Sequence, residues 1–198
     1  MGKIIITGPG RSGTTFLVQL LTRLHFDTGW EPYREPYFNA QRAGCEIKLD
    51  FDLESAAAEA KATIEAAPRI LKTPEWGLVM KGFVTAGVLE VDHCYIPLRD
   101  LEVAARSRLD AQLEWQVCPT DDYAYRVMDQ TSVHALALGF AVEACMIHEI
   151  PFTLMMFPRL VQDAGYCWAK LSEGLEIPRK DFDRVFAELA RPEQVRWK

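Results

Sequence analysis

The chain has 198 residues, with 22 Lys or Arg against 28 Asp or Glu, so its formal net charge is −6; 49% of it is hydrophobic and 25% charged. That balance excludes intrinsic disorder. The length suits one domain over residues 1–198 that buries roughly 70% of its unfolded surface, which excludes a large multidomain enzyme and needs no disulfide or metal to hold a core.

The five cysteines at 45, 94, 118, 145 and 167 form no CxxC pair, and their odd number and apolar surroundings point to a reducing, cytoplasmic setting. The first residues lack the apolar run of a signal peptide. Ile6 breaks the myristoylation pattern. Net acidity speaks against nucleic acid as a partner.

Lys3 to Thr7 reads as a short buried strand punctuated by Gly8, Pro9 and Gly10. From Ser12 to His25, Phe16, Leu17, Leu20, Leu21 and Leu24 recur at helical spacing. The stretch from Asp27 to Gly44, with two Glu-Pro pairs and several aromatics, reads as a long loop. Ala56 to Ala67 is alanine-rich and helical. Arg69 to Leu71 is expected as a second strand, stopping at Lys72-Thr73-Pro74, and Trp76 to Ala86 as a helix.

Val91 to Leu98 is the third strand and Leu101 to Val117 the next helix. Tyr123 to His148 reads as a longer helical region with a break near Gly139. Its most apolar part, Val133 to Ile147, carries His134 and Glu143 and falls short of the ~20 residues of a membrane span. Phe152 to Phe157 is the fourth strand, Leu160 to Leu171 a helix, and Phe182 to Leu189 a last helix capped by Asp181. Strands alternating with helices, each strand an apolar run, predict a three-layer α/β/α domain around four or five parallel strands. Ligands of such sheets bind beyond the carboxyl ends of the strands.

The strongest local signal lies there: a strand, then Gly8-Pro9-Gly10-Arg11-Ser12-Gly13-Thr14-Thr15, then a helix. Glycines let backbone N–H groups converge on phosphate oxygens, and the helix adds its own unpaired N–H groups and its positive dipole end. Gly8 and Gly13 have the spacing of the G-x-x-x-x-G-K-[ST] loop, but Thr14 stands where that loop has its lysine. Arg11 supplies a cation instead, and Ser12, Thr14 and Thr15 offer hydroxyls. The third strand ends at Arg99, and Ser107 follows eight residues later. A strand-exit cation and a hydroxyl two turns along a helix can grip one phosphate. Arg106 and Arg108 flank Ser107 but point to different sides of the helix. Lys72 sits at the end of the second strand, on the same edge.

Together these residues resemble the sulfotransferases that use 3′-phosphoadenosine 5′-phosphosulfate (PAPS). The family's loop P-x-[KR]-S-G-T-[TS] is matched by Pro9-Gly10-Arg11-Ser12-Gly13-Thr14-Thr15, and its strand-end Arg with a Ser eight residues on by Arg99 and Ser107. The resemblance implies that the loop, from Gly10 to Thr15, binds the 5′-phosphosulfate end and that Arg99 and Ser107 bind the 3′-phosphate. It also implies PAPS as donor, 3′-phosphoadenosine 5′-phosphate (PAP) as product, no required metal, and a hydroxyl of a small molecule or carbohydrate as acceptor. A Glu-Pro-rich loop in some bacterial members carries the catalytic base. Here Trp30-Glu31-Pro32-Tyr33-Arg34-Glu35-Pro36-Tyr37-Phe38 is similar, so the resemblance points to Glu35, with Glu31 as rival, and to 27–50 as an acceptor-side loop region. The R-K-G element of many animal and plant members has no counterpart, since Arg179-Lys180 is followed by Asp181.

Sulfuryl transfer relies on placement and electrostatics, so Arg11 and Lys72 join Glu35 and Glu31 as candidate catalytic groups. Lys72 has a second reading as a solvent-facing strand-end cation. His93, in mid-strand, reads as a core histidine. His25 has a helix-end explanation, and no His/Cys cluster has zinc spacing. Two other functions remain open: a P-loop phosphotransferase using ATP and magnesium, against which the missing lysine counts, and a non-catalytic nucleotide-binding protein. A homodimer is a further expectation.

Overall fold

The computed structural model describes residues 1–31, 57–112 and 122–190. Four strands, β1 (Lys3–Ile6), β2 (Ile70–Lys72), β3 (Val91–Leu98) and β4 (Phe152–Met156), form a parallel sheet in the order β2-β1-β3-β4. Ile6 is in register with Lys72 on one side and Tyr95 on the other. Alternation along these short strands divides the core. Ile4, Ile6, Ile70, Tyr95 and Met155 face one layer, made by α1 (Thr14–Arg23), α6 (Arg159–Gln162), α7 (Ala164–Leu171) and α8 (Arg179–Leu189). Ile5, Leu71, Cys94 and Ile96 face the other, where α2 (Ala57–Ala66), α3 (Trp76–Thr85) and α5 (Tyr123–Ile147) pack. Helix α4 (Leu101–Asp110) lies against α5 through Ala105, Leu109 and Val127. The architecture is therefore three layers, α/β/α, because each strand buries side chains on both faces.

Helix ends follow local chemistry. Asp100, Asp122 and Asp163 cap α4, α5 and α7 by accepting backbone N–H groups. Helix α1 ends in a Schellman turn: His25 N–H donates to Thr22 O and Phe26 N–H to Leu21 O, with His25 itself at φ 66. Three expectations change. Helix α5 runs unbroken through Gly139, since the small residues Ala137, Ala141 and Ala144 on its buried side hold it against the core. The segment after β4 forms two helices, because Asp163 leaves helical geometry (ψ 97) to cap the second. The last helix starts at Arg179 after Pro178, so Asp181 lies in its first turn and caps nothing.

By length and apolarity α5 could cross a membrane, with a window of mean hydropathy 1.3, but it also meets the sheet along its alanine side. The expected Glu-Pro loop from 32 onward, including Glu35, and the end of the expected 101–117 helix lie outside the described residues.

Candidate functional site

The chain order puts β1 between β2 and β3, so the connections leaving β1 and β3 diverge at the carboxyl edge, the crevice where α/β sheets take ligands. The loop after β1 is tied there from several sides. Thr7 N–H donates to Tyr95 O at 3.1 Å, and the Thr7 hydroxyl to Pro74 O at 3.3 Å. Gly8, at φ 143, approaches β3 so closely that a Cβ would stand 2.6 Å from Pro97 O. Ser12 is buried and its hydroxyl donates to Pro9 O at 2.5 Å, closing the loop on itself. Gly13, at φ 94, is the N-cap of α1 and makes no side-chain cap. The first N–H groups of the helix thus begin under a bare glycine, with Thr14 buried and Thr15 half-buried beside them.

Three arginines meet at this loop. Arg11, at φ 70, donates from Nε to Ser107 Oγ at 3.2 Å. Arg99 Nη1 donates to Arg11 O at 3.4 Å, and its guanidinium stands 5.2 Å from the centre of the Phe157 ring. Burial, then the charge of Arg11, lowers the Arg99 pKa, with Asp100 opposing. Arg11, Arg99 and Ser107, singled out in the sequence, are thus neighbours across 88 and 96 residues of chain. Arg108 completes the group from beneath, since a Cβ on Gly10 would be 2.3 Å from its Nη1.

Arg108 was not legible as part of the site. Its signal was its place in the stripe Ala104, Ala105, Arg108, Leu109, all buried on one side of α4. Arg106, by contrast, is exposed and bonded to Glu102 at 2.6 Å. Phe157 was read only as a strand end, yet its ring underlies Arg99 and its Cδ2 would be 3.0 Å from a Cβ on Gly13.

Lys72 is 3% exposed at the end of β2, so the solvent-facing reading does not hold. Glu31 is exposed, just beyond a turn fastened by the Thr22–Thr28 hydroxyl bond of 2.6 Å. Asp100 caps α4 through Val103 N–H at 2.9 Å. His93 is a core histidine: its Nε2 is 2.8 Å from Thr153 Oγ, which donates to Glu173 at 2.7 Å. Thr153 has one proton and gives it to the carboxylate, so Nε2 carries the histidine's proton.

The arrangement brings cations, loop N–H groups and a helix N-terminus together at the carboxyl edge of the sheet, a chemistry that suits an anion. No family model, curated protein or solved structure matches the chain.

Proposed function

We propose that this protein is a PAPS-dependent sulfotransferase acting on a hydroxyl of a small-molecule or carbohydrate acceptor in the cytoplasm. The observation that carries the reading is the 3.2 Å bond between Arg11 in the glycine loop and Ser107 on α4, with Arg99 bonded to the same loop. The residues assigned to the two ends of the nucleotide, far apart in sequence, are thus neighbours, which supports one molecule spanning both. In this reading the loop N–H groups, Arg11 and the α1 dipole hold the 5′-phosphosulfate end and stabilise the charge on its leaving phosphate. Arg99 and Ser107 hold the 3′-phosphate. Lys72, buried at the neighbouring strand end, places positive charge beside the transferred group. Glu35, with Glu31 as rival, takes the proton of the acceptor hydroxyl. No metal is required by these roles.

Calorimetry with PAP and with ADP, which lacks the 3′-phosphate, tests the donor site. The unaltered chain should prefer PAP, and R99A should lose about 10- to 100-fold of PAP affinity with little change for ADP, as removal of a charge-assisted phosphate bond implies. Equal affinity for both nucleotides in the unaltered chain would overturn the assignment, and magnesium-dependent ATP turnover would favour phosphoryl transfer. For the base, Glu35→Gln should lower sulfate transfer about 100-fold or more while PAP binding stays the same. Unchanged turnover would move the role to Glu31.

A further inference from the structure

Among the described residues, the large apolar side chains left most exposed are, apart from Met1 and Leu78, all on α5 or β4. On α5, Tyr125, Met128, Leu136, Phe140, Met146 and Ile147 are 44–66% exposed. At 3.6 residues per turn they fall in one stripe opposite the buried Ala137, Ala141 and Ala144. Leu154 and Met156, 45% and 57% exposed, extend that surface along β4, whose Phe152 packs into the same core layer as α5. At about half of roughly 200 Å² per large side chain, the eight together expose on the order of 800 Å². That exceeds the ~300–600 Å² patch of an ordinary monomer and equals what each partner contributes to a standard interface, ~800 Å².

We propose that this face is covered by a second copy of the chain, with the two α5 helices antiparallel about a twofold axis at Leu136. About that residue the two ends of the stripe match. Tyr125 and Ile147 lie eleven residues before and after it, so each meets the other across the axis. Ser132 and Phe140, four residues before and after, set a small side chain against a ring. Asp129 and Glu143, seven residues before and after, would be like charges. Lys81 of α3 holds Glu143 at 2.9 Å and so offsets part of that repulsion. A bilayer suits the face less well, because Glu143 and Ser132 interrupt its stripe and a net charge of −6 opposes anionic lipid.

The measurement is sedimentation of the full chain from 0.1 to 50 µM, with vesicle flotation (phosphatidylcholine with phosphatidylserine) alongside. The expected species is two chains of 22.5 kDa each, and Leu136→Glu should raise the dissociation midpoint tenfold or more with an unchanged far-UV spectrum. Leu136→Cys should cross-link to itself under mild oxidation where the unaltered chain, with its native cysteines, does not. A monomer throughout the range overturns the proposal, as does a dimer untouched by Leu136→Glu and uncross-linked through position 136. Flotation of a monomeric chain would assign the face to lipid instead. None of these readouts involves nucleotide, so the outcome stands apart from the sulfotransfer reading.

Discussion

Beneath the glycine loop lies a small buried group, Arg108 against Gly10 with His134 of α5 beside it, and its protonation is a property of the folded state. Burial first, and the charge of Arg108 next, push His134 down to about 4 from the 6.5 of a free histidine, with a hydrogen bond to the backbone carbonyl of Leu101 opposing. Between those values the unfolded chain holds a proton on this residue and the folded chain does not. The stabilisation is thus complete above pH 6.5 and is lost as pH falls toward 4, by up to about 3 kcal/mol. Chemical denaturation at pH 7.5 and 4.5 should show a loss in the native protein about 2–3 kcal/mol larger than in His134→Gln. An equal loss in both would assign acid sensitivity to other groups. Arg11 and Arg99 were readable because a motif fixes their spacing from Gly13 and Ser107. Arg108 and His134 were not, because the stripe that marks Arg108 as inward-facing on α4 does not say which residue of the facing helix it meets.

Two glycines separate packing from propensity among the helices. Gly77 lies where α3 crosses α5, and a Cβ there would stand 2.6 Å from Ala137 O, a backbone atom that cannot swing aside. Gly77→Ala should destabilise the protein by about 2–3 kcal/mol through separation of the two helices. Gly82, near the other end of α3, has nothing within 4 Å of an added Cβ and no left-handed φ. Gly82→Ala should therefore stabilise by about 0.5–1 kcal/mol. Urea midpoints measure both, and opposite signs on one helix are the expected result.

The starts of α4 at Leu101 and of α5 at Tyr123 were legible from helical periodicity, whereas the break at Asp163, whose side chain caps α7, was not. The start of the last helix was misjudged at Pro178, whose fixed φ starts α8 ahead of Asp181. Gly139 misled because propensity predicts a weak point, whereas the alanines around it fix the helix through contacts that are distant in sequence.

The fold as a whole was readable because its strands are apolar runs separated by helical periodicities, a pattern with few three-dimensional solutions. The acceptor side was read only from the resemblance. Residues 27–50 have neither period, and the aromatic and Glu-Pro content that marks them carries no geometry. The strand order has a consequence for synthesis. Of the four described strands β1 is made before the others yet is an inner one, and its hydrogen-bonding edges wait for β2, roughly 60 residues later, and then β3. At about 5–20 residues per second the ribosome leaves Ile4, Ile5 and Ile6 without either neighbour for several seconds. During that interval the nascent chain displays a sticky apolar strand, and a chaperone that recognises short aliphatic segments would find its first foothold there.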